Sequence, residues 1–178
     1  MVKPLLTFAV SALAGIAGVL GYAAMNRPVV PSDIHELAGN VWVTEQVTLQ
    51  NLPAIRSKGF KSVVDLRPDG EAADQPTSTS IGETAKSYGL QFAYIPVRHG
   101  DIPENAVDAL AQALAKAPKP ILLYCRSGRR AARTWALVEA SKPDGLDAAK
   151  IRAAVQSAGQ TADDLNEAIS SRISARVK

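Results

Sequence analysis

The chain has 178 residues, 47 % hydrophobic and 21 % charged, which suits one globular domain plus a short accessory segment. Its net charge of +3 is local: Lys3 and Arg27 flank a stretch without acidic residues, and removing residues 1–27 leaves +1. With aromatics at 5 % and no recognition pattern for DNA or RNA, the composition excludes a nucleic-acid-binding reading. The one cysteine, Cys125, rules out an internal disulfide and a cysteine-rich metal site. The histidines, His35 and His99, follow no zinc spacing. There is neither a G-x-x-x-x-G-K-[ST] loop nor a G-x-G-x-x-G turn, so no cofactor is expected.

In chain order, residues 5–25, LLTFAVSALAGIAGVLGYAAM, carry no charge. At ~1.5 Å per residue such a helix matches the hydrocarbon thickness of a bilayer. Lys3 before it favours a cytoplasmic N-terminus and an exported remainder. Two readings compete, a transmembrane anchor and a signal peptide cleaved at Gly21-Tyr22-Ala23. The length favours the anchor, because secretory apolar cores run to about 7–15 residues. Either way the remainder is expected outside the cytoplasm, on the periplasmic side in a bacterium. Residues 26–40, with Pro28 and Pro31, read as a linker, and residues 41–178 as the folded domain.

From residue 41 strand-like and helix-like stretches alternate. Strands are expected at 41–43, 60–66, 91–97 and 120–124, the last wholly apolar as a buried central strand should be. Helices are expected at 49–59, 79–88, 128–140, 147–158 and 162–176. A further helix follows Pro103, with Val107, Leu110, Ala111 and Leu114 on one face. This alternation implies an α/β layered fold with a largely parallel sheet. Ligands bind such sheets at the carboxyl ends of the strands. That rule brings RPDGE (67–71), RHGD (98–101) and CRSGRR (125–130) to one edge.

The order strand, Cys125, loop, helix has a definite chemical use. Loop N–H groups and the positive end of the helix converge on one point, and Gly128 permits the backbone angles of such a nest. A thiol at that focus is favoured as its nucleophilic thiolate. The same nest, formed by Arg126, Ser127, Gly128 and Arg129, would hold an oxyanion, with Arg130 placed to clamp it in a fork. The competing reading is an inert buried cysteine before a basic helix, which leaves the order of apolar strand, Cys, Gly and Arg unexplained. Arg126, Arg129 and Arg133 suit a substrate contact or a solvated surface equally well.

The segments VVDLRPDGE, YIPV and YCRSGRRA, in this order, resemble the bacterial beta-lactamase-hydrolase-like phosphatase family. The likeness covers roughly residues 36–160. It implies a three-layer scaffold like that of dual-specificity phosphatases, with Cys125 as nucleophile and 125–130 as oxyanion cradle. The loop departs from the protein tyrosine phosphatase pattern C-x-x-G-x-x-R followed by Ser or Thr. Arg130 comes one residue early, Ala131 stands at the arginine position, and Ala132 replaces the hydroxyl residue. The compact form C-R-x-G-x-R is similar to rhodanese sulfurtransferases, in which the cysteine carries a persulfide.

Phosphoryl transfer needs a general acid, which sulfur transfer does not. Asp101 lies in the loop that carries this acid in phosphatase-like enzymes, and equally suits a cap or turn before Pro103. Asp69 in RPDG is the second choice of acid but is expected there as a turn residue, His99 is an alternative acid or substrate contact ranked below Asp101, and Arg67 orients the loop or substrate or bridges surface carboxylates. Three functions follow. The first is a membrane-anchored hydrolase of phosphate monoesters with Cys125, Arg130 and Asp101 in catalysis. The second is a sulfurtransferase taking an anionic donor such as thiosulfate. The third is a non-catalytic oxyanion-binding module. The expected partners are a small anionic or phosphorylated substrate, the membrane and, in an oxidising exterior, a thiol reductant.

Overall fold

The computed structural model describes residues 30–176. Its short aliphatic runs form a five-stranded sheet of β1 (His35–Ala38), β2 (Val41–Thr44), β3 (Ser62–Asp65), β4 (Gln91–Tyr94) and β5 (Ile121–Tyr124). The order is β1-β2-β5-β3-β4, with β1 antiparallel to β2 and every other pair parallel. The wholly buried β5 lies at the centre, as its unbroken apolar sequence requires.

One boundary is corrected. β1 lies inside the stretch read as a linker to residue 40, so the folded unit begins before residue 41. Its single inward apolar residue, Leu37, gives no alternating pattern to read. The signal that was present is the Gly39-Asn40 pair, whose positive φ angles of 61° and 64° form a two-residue hairpin turn. A bulge between Glu36 and Ala38 shifts the register.

The helices are α1 (Leu52–Ser57), α2 (Ser78–Ser87), α3 (Glu104–Lys116), α4 (Arg129–Ser141), α5 (Ala148–Ser157) and α6 (Asn166–Ser174). Single 3-10 turns, Leu49–Asn51 and Asp163–Leu165, precede α1 and α6. α1 and α2 cover one face of the sheet, with Leu52, Ile55 and Ile81 packed on Val63 and Leu122. The others cover the opposite face, where Leu110, Trp135, Ile151 and Ile169 join Val43, Val64 and Leu123. Burying each such side chain contributes about 1.5–3 kcal/mol. The architecture is therefore three-layered α/β. The strand expected over 91–97 ends at Tyr94, although Ile95 and Val97 on either side of Pro96 still donate to the carbonyls of Asp65 and Leu66.

Because β2, β5, β3 and β4 are parallel, their last residues, Thr44, Tyr124, Asp65 and Tyr94, form one rung. The segments that follow them leave on a single edge, so the RPDGE, RHGD and CRSGRR stretches share it. The apolar stretch 5–25 lies outside the described residues. Among those described, no helix is long and apolar enough to cross a membrane.

Candidate active site

Strand alternation decides where the thiol points. Ile121 and Leu123 face α4, Leu122 and Tyr124 face α1, and Cys125 joins the α4 side, only 1 % exposed. Gly128 then turns the chain into α4 with φ +83°. A Cβ there would also meet the Thr44 carbonyl oxygen at 3.3 Å and Gln160 Nε2 at 3.2 Å, so the loop lies tight against β2.

The loop peptides are held from outside. The Arg126 carbonyl accepts from Gln46 N–H at 3.3 Å, and the Ser127 carbonyl from Gln160 Nε2 at 3.0 Å. In a trans peptide the next N–H points the opposite way, so those of Ser127 and Gly128 turn away from these partners. Among the described residues, no N–H from position 126 to 131 donates to another protein group. An arc of free donors thus surrounds the start of α4 beside Cys125.

Arg130 is 5 % exposed and returns towards the thiol. Its Nη1 donates to Glu71 Oε1 at 2.6 Å and to the Val97 carbonyl at 2.6 Å, and its Nη2 to Glu71 Oε2 at 2.7 Å. Three of the five guanidinium N–H groups are thereby used, and the Nε–H and second Nη2–H remain on the other side of the fork. The Glu71 hydrogen bonds raise the Arg130 pKa; burial opposes them, and the adjacent Cys125 adds to the rise.

Glu71 is held down at about 2, first by its Arg130 hydrogen bond, against burial, and also by Arg67. Arg67, 5 % exposed, donates from Nε to Glu71 Oε2 at 3.1 Å and from Nη1 to Gln46 Oε1 at 2.7 Å. Since Gln46 N–H also holds the Arg126 carbonyl, hydrogen bonds close a ring through Arg126, Gln46, Arg67, Glu71 and Arg130. Sequence reading found Arg67 and Arg130 but neither Glu71 nor Gln46. The spacing of Glu71 four residues after Arg67 was the available signal; Gln46 had none.

Other expected site residues are placed as follows. Arg126 and Ser127 are exposed at the rim. Arg129 pairs with Asp164 at 3.6 Å, and Arg133 pairs with the same carboxylate, so α4 turns both towards the Asp163–Leu165 turn. Asp69 accepts from Ser78 N–H and Oγ–H, each at 2.7 Å, tying the RPDG turn to α2. Asp101 and His99 are exposed on the loop that begins at Val97, and among the described residues neither side chain makes a hydrogen bond or ion pair.

Beneath the edge, Asp65 is 1 % exposed and accepts from Arg67 N–H at 2.8 Å. Burial pushes its carboxyl up to about 6, opposed by that N–H and by Tyr124. Tyr124 approaches Asp65 closely enough to interact, but its hydroxyl makes no hydrogen bond of ordinary geometry. An acid with a raised folded pKa binds more protons folded than unfolded between about pH 4 and 6, so its contribution to stability falls across that window. Asp65→Asn is expected to remove this slope and to stabilise the fold at neutral pH by on the order of 2 kcal/mol. Unfolding midpoints of both proteins from pH 4 to 8 check it; parallel curves would refute it.

Fold and edge geometry together define a phosphatase-like α/β domain. The chain belongs to the family described as beta-lactamase hydrolase-like protein, phosphatase-like domain, whose model matches residues 33–142. It is 32 % identical to the beta-lactamase hydrolase-like protein of Agrobacterium fabrum over 119 residues, which is 67 % of this chain and 26 % of the relative. Over 82 residues it is 35 % identical to the protein of the same name from Xylella fastidiosa, covering 46 % of this chain and 19 % of the relative. The chain thus spans about a quarter or less of these relatives' length.

Among solved structures it resembles a candidate phosphatase of Neisseria meningitidis, with TM-score 0.69 and 27 % identity, covering 79 % of this chain and 98 % of that one. The catalytic core of the PP-IP phosphatase Siw14 from S. cerevisiae shares the fold, with TM-score 0.59 and 14 % identity over 85 % of this chain and 89 % of that one.

Proposed function

We propose that the domain is a cysteine-dependent phosphatase acting on phosphate monoesters. The supporting observation is that Cys125 sits beside a loop whose N–H groups 126–131 have no protein partner among the described residues and beside Arg130, whose Nε–H and second Nη2–H are taken by neither Glu71 nor Val97. Three phosphoryl oxygens need several fixed donors, and this arrangement supplies them without reorganisation. The Cys125 thiolate forms an S–P bond as the ester P–O bond breaks, and the leaving oxygen takes its proton from Asp101. Water then attacks phosphorus, its proton returns to the Asp101 carboxylate, and inorganic phosphate leaves as the S–P bond breaks. Arg126 and Ser127, at the rim, meet the substrate first, and Arg67 acts through Glu71. The apolar stretch 5–25 anchors the domain outside the cytoplasm, where a thiol reductant keeps Cys125 reduced.

Exposure of Asp101, with no partner among the described residues, leaves its carboxyl available to a leaving group. Asp101→Asn is expected to lower kcat on an alkyl phosphate roughly 10²–10⁴-fold. An unchanged rate would remove Asp101 from the mechanism.

A second reading rests on Ala131 and Ala132, both fully buried, standing where phosphatases carry the arginine and hydroxyl residue. In it the Cys125 thiolate attacks the outer sulfur of thiosulfate, forming a cysteine persulfide and releasing sulfite. Intact mass after brief exposure to each donor separates the two. A phosphoryl adduct on Cys125 supports the first, one added sulfur the second, and neither adduct leaves an oxyanion-binding module.

A further inference from the structure

Arg130 is a long side chain on the first turn of α4, and its usefulness depends on which side of its fork faces the oxyanion. We infer that Glu71 is the positioning residue for that cradle: by filling the Nη1–Nη2 end of Arg130, it leaves the Nε–Nη2 side free for substrate. This rests on the phosphatase reading above and adds to it the means by which the arginine is set.

Each further contact restricts the same geometry. The Val97 carbonyl takes the remaining Nη1 proton, so Arg130 cannot rotate to offer that end. Arg67 holds Glu71 from behind through Oε2, and Gln46 holds Arg67. A lone carboxylate here would cancel the charge of the arginine it orients. Arg67 prevents this, since two guanidinium groups share one carboxylate and a net positive charge remains for the anion. Gln46 adds the link back to the loop through the Arg126 carbonyl, so cradle amides and arginine are set by one ring. The members follow the ends of three different strands, β2, β3 and β5, which explains why the ring exists only once the sheet has formed.

The test is tungstate binding by calorimetry to the wild type, Glu71→Gln, Gln46→Ala and Glu104→Gln, with kcat and KM on a soluble aryl phosphate. Glu71→Gln keeps the side-chain size but offers one carbonyl oxygen where Arg130 and Arg67 need two. It is expected to weaken tungstate binding about 10–100-fold and to lower kcat/KM similarly, with Glu71→Asp recovering part of the loss. Gln46→Ala, which spares the Glu71–Arg130 pair, should lose about three- to tenfold by the same arithmetic. It also keeps the question answerable if Glu71→Gln does not fold. Glu104→Gln breaks a remote ion pair with Arg172 and should bind as the wild type does. Tungstate affinity within twofold of wild type in folded Glu71→Gln, or in Gln46→Ala should only that fold, would overturn the inference and leave the phosphatase reading standing. Failure of the wild type itself to bind tungstate would overturn both.

Discussion

Replacing Cys125 with serine will abolish turnover of a phosphate monoester, with a loss of at least about 10³-fold in kcat. A serine hydroxyl at the same point is not ionised near neutral pH and needs a base to take its proton. Among the described residues, none hydrogen-bonds Cys125 Sγ as an acceptor positioned for that task. The Glu71 carboxylate is already taken by two arginines. The substitution is nearly isosteric, so the variant should still fold and bind tungstate, which makes the loss chemical. Rates measured with saturating aryl phosphate, beside an unfolding curve, decide it. Turnover by the serine variant above a hundredth of the wild-type rate would refute covalent catalysis at Cys125.

Arg130→Lys will lower kcat/KM by about 10²–10³-fold although the charge is kept. One ammonium cannot occupy both Glu71 oxygens and the Val97 carbonyl while presenting two further donors to an oxyanion. The lysine is expected to pair with Glu71 and leave the cradle with its amides alone. The same change leaves the Val97 carbonyl or one Glu71 oxygen poorly satisfied, at a cost of about 1–3 kcal/mol in stability. Steady-state kinetics with tungstate inhibition would show it; a variant within tenfold of the wild type would mean that positive charge suffices and the fork geometry does not matter.

The parts of the fold that could be read in the sequence are those with a local periodic signal. β5 was evident from ILLY between Pro120 and Cys125, and α3 from Val107, Leu110 and Leu114 on one face. β1 was missed because a four-residue edge strand with one buried apolar side chain carries almost no period, and only its Gly39-Asn40 turn betrays it. The site divides in the same way. Cys125, Gly128 and Arg130 are consecutive enough for their order to reveal a nest, whereas Arg126, Arg129 and Arg133 looked alike in the sequence. Their fates differ because each helical step rotates a side chain by about 100°. Arg130 turns inward to Glu71, while Arg129 and Arg133 share a face that meets Asp164.

The sequence by itself determined the alternation of strands and helices, the largely parallel sheet with its loops on one edge, and a thiol at the mouth of a glycine-turned helix. These follow from period, turn chemistry and neighbouring residues, all of them short-range. Only the tertiary structure decided which charges meet there. Glu71 and Arg130 are 59 residues apart, and Gln46 and Arg67 are 21 apart. They come together because sheet order places β2, β5 and β3 side by side and releases their loops on one edge. Long-range pairing of single charged residues leaves no local pattern, so the Cys125 loop was legible and the ring of hydrogen bonds beside it was not.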